Sequence, residues 1–81
     1  MQKVKRKVRA DLPKIYSREL VDVLFQLPYC RIKFIEDARL AKRQTASSYL
    51  KQLEKIGILQ KFEEGREVLY INKEFHTLLR N

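Results

Sequence analysis

Apolar residues recur at helical spacing in the first half of the chain. Leu20, Leu24 and Leu27 follow one another at i, i+4 and i+7, which places them on one face of an α-helix. Ser17 is a favourable N-cap, and Pro28 cannot continue a helix. The pattern therefore predicts a helix over residues 17–26 that buries its leucine face in a core.

The clearest periodic segment covers residues 42–56. Its apolar positions are spaced as one face of a helix of 3.6 residues per turn, and they are Ala46, Tyr49, Leu50, Leu53 and Ile56. We expect this face, with Tyr49 on it, to be buried. Gly57 should end the helix, because glycine adopts left-handed dihedral angles at little cost.

Strand signals lie on both sides of a glycine turn near the C-terminus. Residues 58–63 and 66–71 flank the pair Glu64-Gly65, and the second run is rich in Val, Leu, Tyr and Ile. Two such runs around a turn predict a β-hairpin. A further short extended stretch is expected at residues 29–32.

Two short helices complete the pattern. Residues 34–40 favour a helix joined to the one over residues 42–56 by a brief turn, and Asn72 is suited to cap a last helix over residues 73–80. The inward side chains of that last helix would be Phe75, Leu78 and Leu79. The predicted fold is mainly α with a small β-hairpin, a winged helix-turn-helix domain over residues 12–81.

Positive charge is concentrated in two segments. The net charge is +8, and residues 1–9 hold five bases without an acid, while residues 42–56 hold four bases and one acid. The apolar residues of the first segment, chiefly Val4 and Val8, are too few to anchor a helix. We therefore expect a basic arm or linker over residues 1–11. Such concentration is typical of a polyanion-binding surface, although an ordinary solvated helix face has it too.

The helix over residues 42–56 is also the candidate binding element. In helix-turn-helix proteins the second helix of the pair lies in the major groove of DNA, with its N-terminal residues at base edges. The candidate nucleic-acid-binding residues are therefore Lys42, Arg43, Gln44, Thr45, Ser47, Ser48 and Lys51. The predicted wing, residues 61–67, has a net charge of −1. That charge opposes contact with phosphates and favours a protein partner.

Composition excludes several kinds of catalytic site. Two isolated glycines do not form a phosphate-binding loop, and one His with one Cys is too few for a zinc site of about four ligands. His76 has no sequence partner for a catalytic dyad, and Cys30 is expected to be a small buried hydrophobic residue. We therefore expect no catalytic residue, cofactor or metal. No apolar run reaches the roughly 18 residues of a membrane span, so the cytoplasm is the default compartment.

Several stretches of the sequence share the pattern of a known family. They read LPKIYS at residues 12–17, LPYCRI at 27–32, AKRQTAS at 41–47, IGIL at 56–59, GRE at 65–67 and YIN at 70–72. Together they resemble the C-terminal winged-helix region of Fic-family proteins (Fic/DOC type) over residues 12–80. The stretches LPKIYS and AKRQTAS are the more specific ones, since a Gly-Ile-Leu sequence after a helix is common in winged helices.

The resemblance implies a larger parent protein. Fic proteins typically transfer AMP from ATP to a hydroxyl group of a target protein, with a His-Pro-Phe…Gly-Asn-Gly-Arg loop. This sequence lacks that loop, and its single His, His76, is followed by Thr77. The resemblance therefore implies a non-catalytic accessory domain, with the catalytic Fic domain upstream of Met1.

Three functions remain open at this point. The basic helix favours binding of duplex DNA. The acidic wing favours interaction with a protein, by self-association as a homodimer, by docking on the Fic domain or by recruitment of the target. The third function is that of a structural cap that stabilises the parent.

Overall fold

The computed structural model describes residues 2–80, apart from the side chains at positions 76 and 78–80. The elements follow one another as α1 (Gln2–Asp11), α2 (Arg18–Leu24), β1 (Tyr29–Cys30), α3 (Ile32–Asp37), α4 (Arg43–Lys55), β2 (Leu59–Glu64), β3 (Glu67–Asn72) and α5 (Lys73–Arg80). The inward placement predicted for Leu78 and Leu79 concerns side chains outside this description.

The three strands form one antiparallel sheet of order β1-β3-β2. The central strand β3 pairs Ile71 with Tyr29 of β1, and it pairs Leu69 with Phe62 of β2. The β2–β3 hairpin is the wing, and α3 and α4 form the helix-turn-helix pair. The predicted architecture, mainly α with a small hairpin in a winged helix-turn-helix, is confirmed.

The core lies between the inner face of the sheet and the first four helices. Its fully buried side chains include Leu20, Leu24, Ile35, Leu50, Leu53 and Leu59. The predicted apolar faces of α2 and α4 are thus confirmed at their central positions. Tyr49 is half-buried against this core. Leu27 is 40% exposed, because α2 ends at Leu24 and the chain has left the helix before it reaches residue 27.

Residues 2–11, which the charge pattern suggested to be a basic arm or linker, form a packed helix. In this helix, α1, Val4 is 5% exposed and Val8 is fully buried. The two valines are one helical turn apart, so both face the core while the basic residues face solvent. The expectation that these apolar residues are too few to anchor a helix is therefore wrong, because the remainder of the fold supplies the surface on which they pack.

Two helix ends follow the local rules. The Ser17 hydroxyl oxygen accepts a hydrogen bond from the Leu20 N–H at 3.0 Å, as expected of an N-cap. Gly57 has φ of 86°, and the N–H groups of Gly57 and Ile58 donate to the carbonyls of Glu54 and Leu53. This is the double hydrogen bond of a Schellman motif, so the predicted stop at Gly57 is confirmed.

The hairpin turn lies one residue later than predicted. Glu64 pairs with Glu67, which leaves Gly65-Arg66 as a two-residue loop. Gly65 has φ of 61° and Arg66 has a negative φ, the combination of a type II′ turn with glycine at its first central position. Because the right-handed twist of the strands favours a type II′ turn, it also favours the position of the loop at Gly65-Arg66.

Asn72 does more than the predicted capping. Its side-chain oxygen accepts the Phe75 N–H at 3.2 Å, which confirms the cap of α5. Its amide nitrogen also donates to the Leu24 carbonyl at 2.7 Å. This fully buried residue therefore ties the end of the sheet to the C-terminus of α2, and each polar atom of its amide has a partner.

We expect Val8→Ala to lower the free energy of unfolding by about 1–3 kcal/mol, because it leaves a cavity under α1. Chemical denaturation followed by circular dichroism measures the change. Arg6→Ala is the matched control, since Arg6 is exposed on the same helix and alanine is a good helix former. Equal, small effects of the two substitutions would contradict the packing of α1 on the core.

Candidate nucleic-acid interface

The turn between α3 and α4 sets the position of the candidate recognition helix. It begins with Ala38 as the C-cap of α3, and Arg39 follows with φ of 60°. The N–H groups of Arg39 and Leu40 donate to the carbonyls of Glu36 and Ile35, the same Schellman pattern that ends α4. The turn therefore places a non-glycine residue in the left-handed region, which costs about 1–2 kcal/mol.

The helix α4 has two different sides. Ala46, Leu50 and Leu53 have no exposed surface, and they fix the inner side against α3 and the sheet. Successive residues are rotated by about 100° around a helix. The side away from the core carries four exposed polar residues, which are Gln44, Ser48, Lys51 and Lys55.

The structure brings three of the predicted binding residues together on this outer side, namely Gln44, Ser48 and Lys51. Their side chains lie within two turns of one another, and the Ser48 hydroxyl accepts a hydrogen bond from the Gln52 amide at 3.0 Å. Lys55, one turn beyond Lys51, extends the same side although it is outside the predicted set. What these side chains bind stays a prediction.

The other four predicted residues spread over the N-terminal end of α4. Lys42 is the exposed N-cap and makes no side-chain capping bond. Arg43 turns toward the wing, and Ser47, one turn later on that flank, is half-buried. Thr45 is exposed on the opposite flank. The seven residues therefore surround one helix end and do not form a single flat face.

Sequence reasoning missed an open cleft between the wing and the two helices. It is lined by Arg31, Ile32, Lys33, Glu36, Arg43, Arg66 and Val68. Four of these side chains are basic and one is acidic, so the cleft continues the positive surface of α4 toward the hairpin. Among the described residues, no ion pair involves Lys33, Arg43 or Arg66. The bases come from segments up to 35 positions apart, and no local pattern could have grouped them.

The acidic wing is largely paired within the fold. Arg31 donates to both carboxylate oxygens of Glu67, at 3.0 and 3.4 Å. Lys61 contacts Glu63 at 3.0 Å, and the hydrogen bond from this lysine to Glu63 raises the pKa of Lys61 above its ordinary value. Two of the three wing carboxylates therefore face a cation. One of these cations, Arg31, lies outside residues 61–67, so the net charge of −1 overstates the repulsion of a polyanion by the wing.

The comparison with known families covers most of the chain. The model of the protein adenylyltransferase SoFic-like, C-terminal domain, matches residues 1–75. The chain belongs to this family. The resemblance to the C-terminal region of Fic-family proteins is thereby confirmed, and the match includes α1, which the sequence analysis had set apart from the domain.

Other chemistry in this SoFic-like domain is sparse. The Cys30 thiol is fully buried, and that burial raises its pKa to about 12, against a smaller lowering effect of a backbone hydrogen bond with Arg31. Cys30 is therefore the buried hydrophobic residue that was predicted and not an activated nucleophile. No group of His, Cys, Asp and Glu fit to hold a metal occurs in the described part of the chain. The side chain of His76 lies outside the description.

Membrane-spanning helices are absent from the described residues: no helix there is long and apolar enough to cross a bilayer.

Replacing Arg39 by glycine should stabilise the domain by about 0.5–1 kcal/mol, because the gain from removing a left-handed side chain exceeds the added freedom of the unfolded chain. Thermal denaturation measures the effect. Ala38→Gly is the matched control one residue earlier, where φ is −77°, and it should destabilise by a similar amount. Destabilisation at both positions would contradict the strain assigned to the turn.

The buried thiol should also make stability depend on pH. The pKa of Cys30 is about 12 in the fold against 9.0 for the free side chain, so the unfolded chain loses its proton first and the free energy of unfolding falls as pH rises between these values. Denaturation at pH 8.5 and 10.5 should show a steeper fall for the native sequence than for Cys30→Ala. The comparison cancels the titration of lysines and tyrosines, and parallel slopes would contradict the assignment.

Proposed function

We propose that the chain is a non-catalytic accessory domain of a Fic-type protein adenylyltransferase and that it binds duplex DNA through α4. The observation that carries the proposal is the outer side of α4. Its exposed residues are basic, amide or hydroxyl residues, and the single acid of the helix, Glu54, is half-buried beside them. A protein that docked there would need a complementary acidic surface, and nucleic acid has one along its whole length.

The chemistry of the helix end fits a base-reading element. Gln44 has an amide that pairs with the N6 and N7 positions of adenine, and Arg43 has the guanidinium fork that pairs with guanine O6 and N7. Ser48 carries a hydroxyl able to contact a phosphate or a base edge. Gln44 and Ser48 share the outer side of α4. An α-helix with its side chains is about 10–12 Å wide and therefore fits the major groove, which is about 12 Å wide.

Phosphate contacts would come from bases along the outer side of α4 and in the cleft. Lys51 lies one turn beyond Ser48 and Lys55 is the last residue of the helix, and Arg66 and Lys33 line the cleft together with Arg43. Each base that neutralises a phosphate releases a counterion, which makes affinity depend steeply on salt. The pairing of Glu67 with Arg31 supports the proposal as well, because it reduces the repulsion between wing and phosphates.

The catalytic part of the proposal rests on the family and the composition. We place AMP transfer in a Fic domain of the parent protein, because the family is named as the C-terminal domain of an adenylyltransferase. This chain has one His and two separate glycines, which do not supply a Fic loop. The proposal assigns the domain to the cytoplasm, where it would meet nucleic acid.

The test is a fluorescence anisotropy titration of a mixed-sequence duplex at several salt concentrations. We expect binding at low salt that weakens steeply as salt rises, with a log–log slope of about −3 or steeper for three or more phosphate contacts. The double variant Arg43→Glu/Lys51→Glu should weaken this binding strongly and flatten the slope by about one, because Lys51 is the proposed phosphate contact and Arg43 the proposed base contact.

The matched control is Arg18→Glu/Lys73→Glu. It changes the net charge by the same amount at two exposed residues that begin α2 and α5, where acids suit the positive end of the helix dipole. The control should keep most of the affinity. An equal loss in both double variants would mean that only total charge matters, and no binding at low salt would contradict the proposal in favour of a protein partner.

A further inference from the structure

One edge of the sheet is open. In the order β1-β3-β2, β2 pairs with β3 on one side, and no strand among the described residues pairs with its other side. All its residues from Gln60 to Glu64 are exposed. Such an edge presents a row of backbone N–H and C=O groups that another strand is able to complete.

The outer face of the sheet carries an apolar patch beside that edge. Tyr70 and Asn72 are buried on the inner face, so the alternation of a strand places Leu69 and Ile71 on the outer face. Phe62 pairs with Leu69 and is 51% exposed. The outer face therefore carries an aromatic side chain at the free edge, next to half-buried apolar neighbours, and this is unusual for a surface that meets only water.

From this edge we infer that β2 pairs with β2 of a second copy of the chain, antiparallel and with the two-fold axis at Phe62. The two sheets then join into one of six strands. This interface does not use α4, so the dimer can be tested independently of the proposed binding of DNA.

The charges of the strand are complementary to themselves in this register. With the axis at Phe62, the residues before and after it face each other, so Lys61 lies opposite Glu63 of the second copy, twice by symmetry. Phe62 lies opposite Phe62. Directly opposed charges of unlike sign and aromatic pairs both stabilise an antiparallel sheet. A second copy of the chain therefore fits this edge, because its β2 places a charge of opposite sign or an aromatic ring opposite each of these residues.

Neighbouring registers lose this match. Moving the axis to residue 61 places Lys61 opposite Lys61, and moving it to residue 63 places Glu63 opposite Glu63. Like charges directly opposite destabilise the pairing. The register at Phe62 is therefore favoured over both of its neighbours.

The hydrogen-bonding groups of the edge have the right phase. Residues that flank a two-residue hairpin loop exchange hydrogen bonds, so Glu64, Phe62 and Gln60 bond to β3. The N–H and C=O groups of Lys61 and Glu63 then point away from β3. These are the two residues that the proposed register pairs with each other, which gives four hydrogen bonds across the axis.

Sedimentation equilibrium of the 81-residue chain tests the register through a charge swap. We expect a reversible dimer, and we expect Lys61→Glu and Glu63→Lys each to raise its dissociation constant by about tenfold or more. The double variant Lys61→Glu/Glu63→Lys should restore the dimer, since unlike charges again face each other. Asp37→Lys, an exposed change of the same charge on α3, is the control and should leave the dimer unchanged.

Circular dichroism of each variant separates loss of the interface from loss of the fold, since both substituted side chains are exposed. A native chain that is monomeric at every concentration would overturn the inference. So would a double variant that dimerises no better than the two single ones.

A second experiment locates the axis by disulfide formation. Phe62→Cys should give a covalent dimer under mild oxidation, because the two β-carbons face each other within about 5 Å at a non-hydrogen-bonded pair. Gln60→Cys is the matched control on the same strand face, with its two copies about 13 Å apart. The native Cys30 does not compete, because it is buried. Equal cross-linking at both positions, or none at position 62, would overturn the proposed register.

Discussion

The burial of one side of α4 determines the arrangement of every surface described above. Ala46, Leu50 and Leu53 have no exposed surface, and a helix that loses these three side chains to the core has only one orientation left to it. That orientation turns Gln44 and Lys51 outward. The same packing holds α3 and the sheet at a fixed distance on either flank, so the cleft between the wing and the helices exists because α4 is seated between them.

The wing depends on the helices in return. The bidentate contact from Arg31 to Glu67 connects the start of α3 with the first residue of β3. Both side chains are exposed, so this ion pair adds little to stability. Its consequence is electrostatic: it places a cation against a wing carboxylate beside the basic cleft. The charge at the surface of the wing therefore depends on this contact between α3 and β3, and it cannot be read from the composition of the hairpin alone.

The two proposed surfaces of the domain have different chemistry. The outer side of α4 is basic and hydrogen-bonding, and it fits a polyanion. The outer face of the sheet carries an apolar patch around Phe62, and the free edge carries charges of both signs at Lys61 and Glu63. A polyanion gains little from the second surface, and a second copy of a chain of charge +8 is repelled by the first.

Most of the secondary structure was predictable from the sequence, because the signals for it are local. Helical spacing set the buried face of α4, Ser17 and Gly57 set helix ends through hydrogen bonds within a few residues, and Gly65 set a turn, placed one residue early. Short stretches of the sequence also indicated the family, and the family match over residues 1–75 confirms it.

The features that depend on contacts between distant residues could be seen only in the folded chain. Two valines were too weak a pattern to predict α1 as packed structure, and they became core residues because the other helices supply their partners. The cleft joins Arg31 and Arg66, which no periodicity relates. The open edge of β2 can be recognised only from the order of the strands in the sheet. The physical reason is common to all three: side-chain spacing reports which face of an element is apolar, whereas what lies against that face is fixed by the packing of the whole chain.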